Sequence, residues 1–387
     1  MIFLGLASNY HAKDIFRHSY MLGTRKDYNG LEADLAKRYG ATLENTSLIF
    51  SGRSAISLGL KSFLAAKKLE KGDLVGVNAF TCYAVIEAIK HAGLTPFFLD
   101  LEKDFEGKIL PNFSARTLEA AVKENPRLKV FILQNTFGVT VNISEFEKVR
   151  EKYNLLLLED LAHCAGRFYE SDSGEKVEVG TVGDAVALSF GKGKAIDTIL
   201  GGAVLLRDPL LSFPKSFKKE KLIRRRWNGD VPRASWYPIF GAIARGLSHL
   251  HLEKLWLGLL LKLSWIERSA DTKLLEDTTI TFWQARLARR QLKNLSPKPL
   301  REYFLVENRE ELLKNLRRRG FRLEEVWYEV PVAPERYFKK LDFPKESCPN
   351  AVFFAEHVVN LPTWYSDKKH KKEVSEARKI IKSNEVK

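Results

Sequence analysis

Between Leu48 and Leu206, short apolar runs alternate with stretches of helical period, the pattern of a largely parallel sheet with crossover helices. The runs place strands near 74–77, 96–99, 128–133, 155–159, 185–190 and 203–206. Between them, Ile56, Leu60, Phe63 and Leu64 recur at helical spacing after Ser54, and Ser144 with Glu147 three residues later reads as a capping box for a helix reaching Tyr153. From about Asp277 the pattern changes. A helix carrying Trp283-Gln284-Ala285 leads into strands within 321–332 and a charged helix or tail over 368–387. This divides the chain into a large α/β domain, 1–276, and a smaller C-terminal α+β domain, 277–387, with a helical insertion at about 211–270.

Length and composition change this picture little. A chain of 387 residues, 45% hydrophobic and 29% charged, can bury a full core. Cys82, Cys164 and Cys348 are widely separated and odd in number, so neither a disulfide framework nor a metal centre is expected, and a reducing cytoplasm fits best. Met1 to Asn9 carry no basic n-region and only a short apolar stretch, so the chain is expected to begin where the sequence does. Charge is more telling. Of a formal net charge of +15, the segment 207–320 holds 25 basic and 12 acidic residues, a field that attracts phosphate on a nucleotide-linked substrate, a nucleic acid or an anionic membrane. No nucleic-acid recognition motif accompanies that charge, and no nucleic-acid partner is expected.

Three groups carry the chemistry. In Ser51-Gly52-Arg53-Ser54 an apolar run meets a helix start, so free backbone N–H groups and the positive helix end converge on an anion site. Asp160 ends one strand, and Ser189-Phe190-Gly191-Lys192-Gly193-Lys194 follows another, which puts both at the strand edge where such sheets bind ligands. A carboxylate and an amine in that order suit a pyridoxal phosphate enzyme: the lysine holds the cofactor covalently, and the aspartate keeps the pyridine nitrogen protonated. A nucleotide-binding P-loop at Gly193-Lys194 is excluded, because residue 188 is leucine where glycine is required and Ala195 replaces the metal-binding hydroxyl.

At these residues the sequence resembles the sugar aminotransferases of the DegT/StrS type, fold-type I pyridoxal phosphate enzymes. Gly30-Leu31-Glu32 with Ala36, Tyr39 and Gly40 is similar to the family's entry segment, and Ser51-Gly52-Arg53-Ser54-Ala55 to its phosphate turn, with arginine where threonine is commoner. In Ala79-Phe80-Thr81-Cys82-Tyr83, either Cys82 or Tyr83 takes the place of the ring that stacks on the cofactor. Gln134-Asn135-Thr136-Phe137-Gly138 carries Asn135 where histidine is frequent. Glu159-Asp160-Leu161-Ala162-His163 carries His163 where glutamine commonly meets the pyridine hydroxyl. Ser189 matches the serine that contacts phosphate, Lys194 the Schiff-base lysine, Gly201-Gly202 the following turn and Leu361-Pro362 the closing motif. Lys192 is the rival for the lysine, and spacing from Ser189 favours Lys194.

The resemblance implies a mostly parallel seven-stranded sheet between helices, a smaller C-terminal domain, and a homodimer with the cofactor at its interface. It implies transfer of an amino group from an amino-acid donor such as glutamate to a keto sugar linked to a nucleotide, in amino-sugar or surface-glycan synthesis. Relatives that lack the lysine act as dehydratases, so Lys194 argues for transamination. Cofactor contacts fall to Gly52, Arg53, Ser54, Cys82, Tyr83, Asp160, His163 and Ser189, with Asn228 a candidate for a contact across the dimer. The competing class is a non-catalytic relative kept as a regulatory or scaffold protein. The stretch 236–266 departs from the family pattern. It reads either as a helical hairpin buried in a subunit interface or as a segment lying on a membrane surface through Trp236, Trp256 and Trp265 beside Arg224-Arg225-Arg226.

Overall fold

A computed structural model describes residues 2–3, 23–224, 240, 243, 247, 252–262, 273–323, 328–363 and 368–386. Helix α1 (Arg25–Tyr39) opens with a capping box between Thr24 and Asp27 and ends at Gly40, whose φ of 70° suits a left-handed C-cap. There follow β1 (Thr46–Ile49), α2 (Gly52–Ala65), β2 (Leu74–Asn78), α3 (Tyr83–His91) and β3 (Thr95–Leu99). Next come α4 (Ala115–Glu124), β4 (Leu128–Leu133), α5 (Ile143–Tyr153), β5 (Leu156–Asp160), β6 (Ala185–Ser189) and β7 (Gly202–Leu206).

The seven strands form one sheet in the order β1-β7-β6-β5-β4-β2-β3. Only β7 runs against its neighbours, so the carboxyl ends of β1, β2, β4, β5 and β6 all open on one edge. This bears out the α/β expectation. Successive strand residues point to opposite faces: Val130, Ile132, Leu158, Ala185 and Ala187 pack into one core layer, and Phe131, Leu133, Leu157, Val186 and Leu188 into the other. Both faces are covered, which is why the strands read as near-continuous apolar runs.

Two expectations are corrected. The strand Thr46–Ile49 was not among those read from the apolar runs, because it begins with Thr46 and Ser47, which are nevertheless fully buried. The cap of α5 is Asn142, whose Oδ1 accepts from Ser144 N–H at 3.1 Å. Ser144 instead accepts from Asp172 N–H, and Glu147 pairs with Arg150, so the proposed box does not form.

Past β7, helix α6 (Glu253–Lys262) is the one long element described in the expected insertion, with Leu260 buried and Leu252, Leu255 and Leu259 exposed. Asn228, Trp236 and Trp265, with Arg225 and Arg226, lie outside the described residues. The C-terminal part contains α7 (Phe282–Leu292), β8 (Arg301–Leu305), α8 (Arg309–Arg318), α9 (Pro349–His357), β9 (Val358–Pro362) and α10 (Lys368–Lys382). β8 and β9 pair antiparallel, and Phe304, Leu312, Leu316, Val359 and Leu361 form a separate core. α10 is an amphipathic helix, with Val374, Ala377 and Ile381 fully buried in that core. Of the strands expected within 321–332, two-residue pieces are present: Phe321–Arg322 beside Ile2–Phe3, and Val332–Ala333 beside Thr81–Cys82. The second matters for function, because it ties the C-terminal part to the segment that follows β2.

Candidate active site

The edge holding the carboxyl ends of the strands gathers the three groups named from the sequence. At β1 the chain turns into α2 with Ser51 as N-cap, its Oγ accepting from Ser54 N–H at 3.3 Å. The first-turn N–H groups of Gly52 and Arg53 have no acceptor within the helix. The turn is packed against two other strand ends: Ser51 bridges Gly201, and a methyl group on Gly52 would lie 2.7 Å from Ser189 Cβ. Gly202 is as tightly placed, its would-be methyl 2.7 Å from the Ser51 carbonyl carbon. The Arg53 guanidinium is buried and pairs with Glu87 of α3, and the Ser54 hydroxyl, fully buried, lies 3.0 Å from Ser51 Oγ and accepts from Leu275 N–H.

Asp160 ends β5 level with Ala187 of the adjacent β6. Its carboxylate is buried and accepts from Ala162 N–H at 3.0 Å. Burial pushes its pKa up to about 6, against the opposing pull of that N–H and of Lys194. Its neighbour Glu159 points the other way. There it accepts from Tyr169 Oη (2.8 Å) and from the N–H groups of Gly180, Val182 and Gly183 (2.7, 3.0 and 2.6 Å), anchoring the turn that feeds β6.

The lysine loop is similarly fixed from behind. Gly193 N–H donates to buried Asp197, and Gln291 of α7 accepts from Asp197 N–H while donating to its carbonyl. Gln284, also on α7, donates to the Leu200 carbonyl at 2.6 Å. Lys194 is partly buried while Lys192 is exposed. The Lys194 amine is held below its ordinary pKa, chiefly by desolvation and also by the Arg301 charge, with Cys82, Asp160 and Asp197 opposing.

His163 is buried, and its Nδ1 accepts from Phe137 N–H at 3.2 Å. Desolvation, with Lys194 and Arg301 nearby, holds its pKa well below the ordinary value. A neutral imidazole with an accepting Nδ1 carries its proton on Nε2, so His163 is a hydrogen-bond donor on that side. Of Cys82 and Tyr83, the cysteine is the one within electrostatic reach of Lys194 and Tyr328, whereas Tyr83 stacks on Tyr337 at 4.3 Å between ring centres. Asn135 is spent on structure, donating to Tyr169 Oη and accepting from Val141 N–H.

Sequence reasoning missed Asp197, Arg301 and Tyr328. Arg301 opens β8, is buried, and donates through Nε to Asn360 Oδ1. It and Tyr328 reach the site from more than 100 positions away, so no local spacing announces them.

These residues fit pyridoxal phosphate on the chemistry of the donor set. A desolvated amine suits its aldehyde, a buried carboxylate its ring nitrogen, a neutral histidine beside a buried phenol its phenolic oxygen, and a helix-start cup too tight for a Cβ its phosphate.

Known proteins agree. Residues 13–216 match the model of the DegT/DnrJ/EryC1/StrS aminotransferase family. The lipopolysaccharide biosynthesis protein RfbH of Salmonella typhimurium is 32% identical over 188 residues, 46% of this chain and 38% of that protein. The GDP-perosamine synthase of Caulobacter vibrioides is 28% identical over 216 residues, 56% of this chain and 49% of the synthase. The matches thus span about half or less of these relatives' length. Among solved structures, Helicobacter pylori PseC, an aminotransferase involved in the biosynthesis of pseudoaminic acid, has a TM-score of 0.64 at 17% identity, covering 98% of this chain and 99% of PseC. A GDP-4-keto-6-deoxymannose-3-dehydratase has the same TM-score at 16% identity, covering 97% and 99%. Shape alone therefore shows the fold and does not choose between amino transfer and dehydration.

Proposed function

Because the chain belongs to the DegT/DnrJ/EryC1/StrS aminotransferase family, we propose that it is a pyridoxal phosphate-dependent aminotransferase. It takes an amino group from an amino-acid donor, glutamate in our reading, and passes it to a keto sugar linked to a nucleotide, in amino-sugar or surface-glycan synthesis. The observation that carries this is the pairing of a desolvated lysine amine with a buried aspartate on neighbouring strand ends, Lys194 after β6 and Asp160 on β5. The lysine is also what favours amino transfer over dehydration.

When bound, pyridoxal phosphate supplies an electron-poor ring that accepts the electron pair released at the substrate carbon. Lys194 Nζ, its proton affinity lowered by burial, is the nucleophile and then the base and acid that moves a proton to and from that carbon. Asp160 offers its carboxylate to the ring nitrogen; the price of desolvating it falls once a cation faces it. His163, with its single proton on Nε2, orders the hydrogen bonding around an oxygen bearing negative charge, and Cys82 lines the site beside the lysine. The N–H groups of the Gly52–Arg53 turn and the Ser189 hydroxyl, which closes on that turn, receive the phosphate. The aromatic Tyr83, stacked on Tyr337, supports the segment that carries Cys82.

We read the working unit as a cytoplasmic homodimer. Among the described residues no helix is long and apolar enough to cross a membrane. Any contact of α6 with a membrane surface would use exposed Leu255 and Leu259 rather than buried Leu260, which flotation of a Leu255→Ser, Leu259→Ser variant on anionic liposomes would test.

The function is tested by adding pyridoxal phosphate to the purified protein, then glutamate, then a panel of nucleotide-linked keto sugars. A near-visible absorption band that glutamate discharges, followed by an aminated sugar in the mass spectrum, is the expected outcome. A chain that forms no such band is a scaffold, and one that dehydrates the sugar without aminating it overturns the transaminase reading.

A further inference from the structure

We propose that Tyr328 is a further hydrogen-bond donor of this site: its hydroxyl accepts the Nε2 proton of His163, which fixes both rings and leaves the phenol proton for a negatively charged oxygen beside Cys82 and Asp160. The inference rests on the aminotransferase reading above, since it concerns how the chain treats a negatively charged oxygen of the bound cofactor.

The geometry is a directional chain. Asn135 and Phe137 both occupy the left-handed region, with φ of 49° and 62°, and the turn they form delivers the Phe137 N–H to His163 Nδ1 at 3.2 Å. That contact requires a lone pair on Nδ1, so the proton of a neutral ring sits on Nε2, 3.3 Å from Tyr328 Oη. One contact holds one proton. With the imidazole donating, the phenol accepts and its own proton is turned away from His163.

Tyr328 is held from several sides. Its ring packs edge-on against Phe80 (5.5 Å), which in turn packs on Phe137 (5.8 Å). Three residues on, the Pro331 carbonyl accepts from Thr81 N–H at 2.8 Å, and Val332–Ala333 pair with Thr81–Cys82. The tyrosine is thus tied to the same segment that places Cys82. The charged and titratable groups acting on the pair are Lys194 and Arg301 on the histidine, and Cys82, Asp160, Arg301 and Glu329 on the tyrosine. Burial keeps the phenol protonated well beyond its ordinary pKa, so it remains a donor throughout the neutral range.

Two readouts test this apart from turnover. The first is the pH titration of the near-visible band of the lysine-bound cofactor in wild type, Tyr328→Phe, His163→Gln and the double variant. Without the hydroxyl, negative charge on the cofactor oxygen is less stabilised and the adjacent nitrogen keeps its proton to higher pH. Tyr328→Phe should therefore raise the apparent pKa by roughly one unit, the order of one hydrogen bond to a charged group. In the His163→Gln background the same change should have much less effect. No shift, or an equal shift in both backgrounds, overturns the proposal. The second readout needs no variant and no cofactor: the ¹⁵N spectrum of imidazole-labelled protein at neutral pH should show His163 with its proton on Nε2, and a proton on Nδ1 overturns the proposal. Loss of the near-visible band in wild type would count against the function instead, since the histidine spectrum stands without it.

Discussion

Gly202→Ala isolates the contribution of close backbone approach at the phosphate cup. Gly202 opens β7, and a methyl group there would lie 2.6 Å from the Leu188 carbonyl oxygen, 2.7 Å from the Ser51 carbonyl carbon and 2.9 Å from the Gly52 nitrogen. All three are backbone atoms, from β6 and from the Ser51–Gly52 peptide, so no side-chain rotation relieves the clash, and the cost belongs at the upper part of the ~1–3 kcal/mol range for overpacking. Gly107→Ala is the control. Its φ is 82° with nothing within 4 Å of the added methyl, so it pays only about 1–2 kcal/mol for left-handed backbone. At roughly 2–4 °C per kcal/mol for chains of a few hundred residues, Gly202→Ala should melt on the order of 5–10 °C lower. The more telling readout is cofactor affinity, measured by titrating the near-visible band: displacement of the Ser51–Gly52 turn should weaken it on the order of tenfold, about the worth of one hydrogen bond to a charged group, while Gly107→Ala leaves it unchanged. If Gly202→Ala binds and melts like Gly107→Ala, the cup is not built as described.

Three further outcomes follow from the same geometry. Asp160 holds its proton more tightly when folded, with a pKa of about 6 against an ordinary 3.8, so the cofactor-free protein should lose stability as pH rises from about 4 through 6. The loss is about 3 kcal/mol at 1.36 kcal/mol per unit, and urea melts of Asp160→Asn should lack the slope; an unchanged slope would contradict the assignment. Glu159→Gln replaces an acceptor shared by the N–H groups of Val182 and Gly183 and should cost roughly 3 kcal/mol in urea unfolding, whereas a loss below about 1 kcal/mol would mean that the 180–183 turn does not depend on it. Lys192→Ala, at an exposed position, should leave cofactor binding intact, in contrast to Lys194→Ala.

Much of this architecture is readable from the residue pattern because the sheet is covered on both faces. Strands such as 128–133 and 185–189 are then unbroken apolar runs, and their ends mark the ligand edge. β1 escaped because Thr46 and Ser47 interrupt its run; Thr46 satisfies its hydroxyl on the Thr42 carbonyl, a partner that no periodicity reveals. The cap of α5 went to Asn142 rather than Ser144 because an asparagine two residues earlier supplies a carboxamide in reach of the same helix start. Asp160 and the lysine loop are legible because one ends a strand and the other follows one directly. Tyr328 and Arg301 are not, since they enter from the C-terminal part through the pairing of 332–333 with 81–82 and through the β8–β9 pair. The packing of Tyr83 is likewise invisible to local spacing, because Tyr337 lies more than 250 positions from the ring it stacks on.

The most direct test of the central claim is chemical. The protein loaded with pyridoxal phosphate is reduced with borohydride, digested and mapped by mass spectrometry. A pyridoxyl group on the peptide bearing Lys194, at that residue, is the predicted result, since its amine is desolvated beside Asp160 while Lys192 faces solvent. Modification at Lys192, or at no lysine, would contradict the account.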